Sequence, residues 1–203
     1  MKDTGTYRPL SYFQLMEVSL RELLVEKGLV TEEQVAQEVE AMRKRGYERG
    51  ARVVARAWVD PGYKQRLLAN GTQACEELGL EVPALKLLVV ENTPQVHNAI
   101  VCTLCSCYPW SVLGLPPMWY KSAAYRSRTV IDPRGVLREL GLDLAETVEV
   151  HVWDSTADLR YIVLPERPAG TENLNEEELA KLVTRDAMIG VAKVQPPREG
   201  GRA

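Results

Sequence analysis

Three of the four cysteines fall within six residues, in the segment Val101-Cys102-Thr103-Leu104-Cys105-Ser106-Cys107. In a chain without secretory features such clustering favours a metal or redox site over a structural bridge. A disulfide between Cys105 and Cys107 would be strained, because residues two apart seldom meet the geometry an S–S bond requires. A structural zinc site wants four tetrahedral ligands, and an iron–sulfur cluster wants four thiolates. The remaining Cys75 sits in a helical segment, and the only histidines are His97 and His151. Neither site closes easily. The reading without chemistry is that the cysteines are small buried hydrophobes.

A different ligand set closes within the segment itself. The sulfur of Cys105 and the amide nitrogen of Ser106 complete a six-membered ring on a metal ion. The Ser106 and Cys107 nitrogens complete a five-membered one, and the Cys107 nitrogen with its own sulfur another. Cys105-Ser106-Cys107 can therefore wrap a metal in a planar S-N-N-S array, with Cys102 supplying a third thiolate and one position left open. Deprotonated amides suit metals that prefer planar or octahedral fields, which points away from zinc and toward iron, cobalt or nickel. A Lewis acid with an open position can polarise a substrate or acidify a water.

The rest of the chain must place this segment. Its 203 residues carry 25 basic and 28 acidic side chains, for a net charge of −3, and are 45% hydrophobic. This is a globular composition with interspersed charge, which weighs against nucleic acid as a partner. No apolar run is long enough to span a membrane and the N-terminus lacks a signal-peptide core, so the expected compartment is the cytoplasm. The single Phe implies a core built on Leu, Val and Ala. Helices are expected from Ser11 to Glu26, from the Thr31 capping box to Met42, over Ala51 to Trp58, after the Asp60-Pro61 cap, and from Thr72 to Leu78 after an Asn70-Gly71 turn. The basic cluster Arg43-Lys44-Arg45 reads as the cationic end of a helix. From about residue 84 the period changes: strands over Leu85 to Val90 and His97 to Val101, a helix from Asp132-Pro133 to Leu140, and a strand over Val148 to Trp153. Arg160 to Leu164 is expected to pair with that last strand across the turn Asp154-Ser155-Thr156, before a final helix capped by Asn175. The fold class expected is α+β: a helical N-terminal arm over residues 1–80, then a layered α/β/β/α metal-binding catalytic domain over residues 81–203.

The run VCTLCSCYPW, continuing through VLGLPPMWYKS (Val112 to Ser122), YRSR, DPRGVL, VWDS, RYIVLPERPAGTE and LAKLVTRDAMIGVA, resembles the α subunit of nitrile hydratase. Thr103 and Tyr108 match the cobalt-type pattern rather than the iron type. The resemblance implies one low-spin, non-corrin Co(III) per α subunit, held by the sulfurs of Cys102, Cys105 and Cys107 and the amides of Ser106 and Cys107. It implies a sulfinic acid at Cys105 and a sulfenic acid at Cys107, states that are elsewhere lesions or transients. The implied activity is that of a lyase that hydrates a small nitrile to an amide, the nucleophile being either the Cys107 sulfenate oxygen or a metal-activated water. It further implies a β subunit whose arginines bond the oxidised sulfurs, in a heterodimer or α2β2 heterotetramer, and a possible cobalt-loading activator protein.

By the same resemblance Trp110, Thr103 and Tyr108 line the substrate pocket, and Asp154, Asp158 and Arg160 form a polar cluster near the subunit interface. A surface ion pair is the simpler reading of that cluster. Position 158 is more often Glu in relatives, and Val82-Pro83-Ala84 stands where many carry a pocket glutamine. His97 and His151 are expected to be satisfied histidines rather than ligands. The nearest alternative is the γ subunit of cobalt-containing thiocyanate hydrolase, which shares VCTLCSC but tends to carry Arg where this chain has Trp110. A structural metal in a non-catalytic assembly is the alternative from another class.

Overall fold

The computed structural model describes residues 10–82 and 86–197; the pocket position Pro83-Ala84 and the first residue of the Leu85 strand lie outside the described residues. The chain divides into two compact units, the first ending at Met42 and the second beginning at Arg43.

The first unit holds helix α1 (Tyr12–Glu26) and most of α2 (Glu32–Lys44). Ser11 and Thr31 start them through reciprocal bonds with Gln14 and Gln34, so each orphan amide end is satisfied locally. An Arg21–Glu32 ion pair at 3.4 Å joins α1 to α2. No residue of α1 is buried.

In the second unit, α3 (Glu48–Val59) buries Gly50, Ala51, Val53, Val54, Ala55 and Ala57, an apolar stripe of small residues that packs against α10 (Glu176–Leu182). Asp60 caps α4 (Pro61–Ala69), with Pro61 in the first helical position as the sequence indicates. Asn70-Gly71 is not a turn but the N-cap and first residue of α5 (Gly71–Glu77). A Cβ on Gly71 would lie 2.7 Å from the Leu87 carbonyl oxygen, so glycine lets this helix press directly on the first strand. Helices α3 to α5, assigned from sequence to the arm, thus belong to the same unit as the strands.

The four strands are β1 (Lys86–Glu91), β2 (Val96–Val101), β3 (Glu149–Asp154) and β4 (Leu159–Leu164). They form two parallel pairs, β1 with β4 (Lys86 opposite Leu159) and β2 with β3 (Val96 opposite Glu149). The expected β3–β4 pairing is therefore corrected: β4 crosses to β1. Its last four residues are all buried, which suits a strand covered on both faces rather than one leg of a surface hairpin. Helices α4 and α5 lie on β1, β2 meets β4, and α9 (Pro133–Glu139) lies on β3, so the unit runs α, β, β, α. The core leans on Leu, Val, Ile and Ala, with buried tyrosines such as Tyr63 and Tyr120 among them, and Phe13 is 79% exposed.

A buried polar network joins the sheets. The His97 Nε2–H donates to the Gly190 carbonyl at 2.8 Å, which leaves Nδ1 to accept from Asn92 Nδ2 at 3.2 Å. Asn98 donates to Asn92 and to the Glu91 carbonyl, and its own Oδ1 accepts from Trp153 Nε1 at 2.8 Å. His97 is thus a neutral, satisfied core residue. His151 pairs with Glu149 at the surface.

Candidate metal centre

The β2 strand ends at Val101, and the chain then leaves the sheet through three bent residues before α6 (Trp110–Leu113). Within this loop the Cys102 and Cys105 sulfurs stand 3.5 Å apart and those of Cys105 and Cys107 3.1 Å apart. All three lie within 4.8 Å of one another. With metal–sulfur bonds near 2.3 Å, adjacent sulfurs stand about 3.3 Å apart around a right-angled centre and about 3.8 Å around a tetrahedral one. The observed separations bracket the former. The main-chain amides of Ser106 and Cys107 both help to lower the Cys105 pKa, so they lie close to that sulfur. The residues present fit a metal that accepts sulfur and amide donors. Cys75, with its thiol buried in α5, takes no part in the cluster, and burial pushes its pKa up to about 12.

The three thiols differ in environment. Cys102 is buried, Cys107 half-buried and Cys105 exposed. Hydrogen bonding to Cys107, and then to Cys102, draws the Cys105 thiol down to about 7, while burial pushes Cys107 up to about 12. Of these two, Cys105 ionises first, and the thiolate is the form that ligates and reacts.

Two side chains fix the loop from outside it, and a third fixes the strand that leads into it. The Asp154 carboxylate accepts from the Thr103 amide at 2.9 Å and from its hydroxyl at 2.5 Å. This follows from the parallel register, which sets Asp154 opposite Val101 at the end of β2. Tyr125, in α8 (Ala123–Arg128), donates to the Ile100 carbonyl at 2.8 Å, and Tyr120, in α7 (Met118–Lys121), donates to the Cys107 carbonyl at 2.9 Å.

The other residues singled out from sequence fall around this core in different ways. The Thr103 hydroxyl is engaged with Asp154 rather than with a sulfur. Tyr108 is 3% exposed, its ring edge-on to Tyr120 at 5.0 Å and its hydroxyl buried without a partner among the described residues. Trp110 is half-buried, and the Arg45 guanidinium lies 5.1 Å from its ring centroid. Arg45 follows the last residue of α2, so the end of the basic cluster stacks on an aromatic face rather than completing a helix terminus. Arg160 donates to the Thr156 and Ala157 carbonyls, and its charge acts on Cys107. Asp158 accepts from the Lys86 amide through its main chain, and its side chain is exposed. Among the described residues no ion pair joins Asp154, Asp158 and Arg160. Tyr120 and Tyr125 lie in the family-like runs VLGLPPMWYKS and YRSR without having been singled out, and Arg45 carries no motif that would have assigned it to the site.

These features define an α+β chain built around a three-thiol loop that could hold a metal ion, at the mouth of a parallel strand pair. The family model described as nitrile hydratase, alpha chain, matches residues 11–192, and the chain belongs to that family. It is 54% identical over 181 residues to the low-molecular weight cobalt-containing nitrile hydratase subunit alpha of Rhodococcus rhodochrous, covering 88% of this chain and 87% of that one. It is 41% identical over 199 residues to the thiocyanate hydrolase subunit gamma of Thiobacillus thioparus, covering 92% and 82%. A double mutant of the Fe-type nitrile hydratase from Comamonas testosteroni superposes with a TM-score of 0.89 at 43% identity, over 97% of this chain and 98% of the other.

Proposed function

We propose that this chain is the metal-carrying α subunit of a heteromeric cobalt nitrile hydratase that converts small nitriles to amides. The observation that carries the reading is the convergence of the three thiols of Cys102, Cys105 and Cys107 within 4.8 Å of one another. Cys102, Cys105 and Cys107 would hold one Co(III) through sulfur, and Ser106 and Cys107 through nitrogen. When bound, that ion supplies a Lewis acid that polarises the nitrile carbon for attack. The chain's own groups orient and shield the substrate. Trp110, steadied by Arg45, offers an aromatic wall, and Arg160 sets a positive charge near the Cys107 sulfur, where an oxidised, anionic oxygen gains from it. Greater exposure of Cys105 than of Cys107 supports deeper oxidation at the former, a sulfinic acid beside a sulfenic one.

A partner chain is part of the proposal. Helix α1 exposes Tyr12, Phe13, Leu15, Met16, Leu20 and Leu23, and with α2 frames an apolar groove of about 560 Å³. Leu104, at the tip of the metal loop, is 89% exposed. Apolar surface of this extent marks an interaction site in a soluble chain, and a β subunit is the partner proposed for it. The higher identity to the nitrile hydratase relative, together with Trp110 after Cys107-Tyr108-Pro109, favours nitrile over thiocyanate as substrate.

The test is to co-express the chain with its partner subunit in cobalt-supplemented medium. Metal analysis is expected to give one cobalt per chain, and mass spectrometry two added oxygens on Cys105 and one on Cys107. An aliphatic nitrile is expected to yield its amide. Zinc with unmodified thiols would overturn the catalytic reading, and rapid thiocyanate hydrolysis without amide formation would transfer the assignment to the hydrolase branch.

A further inference from the structure

We infer that Tyr120 is a positioning residue for the metal loop, holding the Cys107 peptide in its ligating orientation through the hydrogen bond from its hydroxyl to the Cys107 carbonyl. The inference rests on the proposed ligand set and adds to it a residue thirteen positions beyond the last thiol. Cys107 is asked to supply both its amide nitrogen and its sulfur, and both diverge from the Cα that also carries this carbonyl. The carbonyl belongs to the planar Cys107–Tyr108 peptide, so anchoring it restrains the Cys107 ψ angle, one of the two soft rotations at the Cα from which the nitrogen and sulfur diverge.

The donor is itself immobile. Tyr120 is completely buried, with the rings of Tyr108, Tyr125 and Trp119 at 5.0, 5.5 and 6.1 Å. Its partner is a carbonyl oxygen, which can only accept, so the phenol hydroxyl is the donor. With Asp154 holding Thr103 at the other end, the loop is pinned on both sides of the exposed Cys105. A loop pinned at both ends loses less conformational entropy when it closes on an ion.

Tyr120→Phe keeps the ring contacts and deletes only the donor. Tyr63→Phe is the matched comparison, since it removes an equally buried hydroxyl that donates to the Ala74 carbonyl at 2.9 Å, far from the loop in sequence and bonded to a different segment. Both variants are made in the cobalt-loaded complex with the partner subunit. In Tyr120→Phe the sulfur-to-cobalt charge-transfer absorption is expected to shift, and cobalt loss to a chelator to quicken about 10- to 100-fold, the usual effect of removing an outer partner of a metal ligand. Tyr63→Phe is expected to lower the melting temperature by a similar amount while leaving band and loss rate alone. An unmoved band and rate in Tyr120→Phe, or equal changes in both variants, overturns the inference. If Tyr120→Phe does not fold, 3-fluorotyrosine at position 120 keeps the shape and strengthens the donor. It is then expected to move the band the opposite way, and an unchanged band overturns the inference. A wild-type complex with cobalt but no such band would remove the proposed ligand set and this inference with it.

Discussion

Replacing Asp154 by alanine tests how the strand pair holds the metal loop. The carboxylate accepts two hydrogen bonds from Thr103, at 2.9 Å from the amide and 2.5 Å from the hydroxyl. Bonds to a charged acceptor contribute about 1.5–3 kcal/mol each, and the low end applies here because both residues are exposed and water competes. The pair therefore holds the loop by about 2–3 kcal/mol, which is roughly a 30- to 150-fold shift in the equilibrium between closed and open loop. Asp154→Asn keeps one acceptor for the Thr103 amide and can donate to the hydroxyl, so two neutral bonds replace two charged ones. That loss is about 1 kcal/mol, or roughly fivefold. Hydrogen–deuterium exchange of the Thr103 amide, read by mass spectrometry on the peptide spanning residues 101–108, reports this opening directly. The expected order of exchange rates is wild type, then Asp154→Asn, then Asp154→Ala, with global unfolding little changed. An alanine variant exchanging within twofold of wild type would refute the reasoning, as would an asparagine variant as fast as alanine.

Two further outcomes concern the frame behind the loop. Gly190 has φ +89°, and a Cβ there would lie 2.0 Å from the Asn98 carbonyl oxygen, so Gly190→Ala must move backbone and break the His97 contact. The combined cost is about 2–5 kcal/mol, and calorimetry is expected to show a fall in melting temperature on the order of 10 °C; a fall of a degree or two would contradict the packing described. Burial holds the His97 pKa below its ordinary 6.5, so the unfolded chain binds a proton that the folded one does not as pH falls through that value. This contribution to stability is full above pH 6.5 and is lost progressively below it. Urea midpoints between pH 7 and 5 are expected to fall more steeply for wild type than for His97→Asn, and equal slopes would show that His97 is not the group responsible.

Helix starts were legible because their signals are local. Thr31 with Gln34, Asp60 with Pro61, Asp132 with Pro133 and Asn175 each cap the helix their chemistry indicates. Asn70-Gly71 carries the same chemistry as a turn, but here Asn70 accepts from the Gln73 amide as an N-cap and Gly71 opens a helix against Leu87. Strand pairing was not legible. The polar turn after Asp154 suits a hairpin, yet β4 is buried along its last four residues and finds β1, some seventy residues earlier in the chain, as its partner. The same division holds at the site. The thiols declare themselves by spacing, whereas the groups around them arrive through long-range register, in the case of Asp154, or through contacts that nothing local in their short helices reveals, in the cases of Tyr120 and Tyr125. Arg45 was misassigned for a related reason: nothing in a run of basic residues says which of them will leave the helix and find an indole.

The parallel union of β2 and β3 has a consequence for how this chain can change length. Both strands point the same way, so Val101 and Asp154 finish side by side, and the polypeptide between them returns over helices and connections that lie outside the ladder. Residues may be gained or lost in those excursions without disturbing the meeting of carboxylate and loop. Inside residues 149–154 the tolerance vanishes: one residue more or fewer turns Asp154 to the opposite side of the sheet, because side chains alternate with a period of two. The centre is thereby tied to the parity of a six-residue strand.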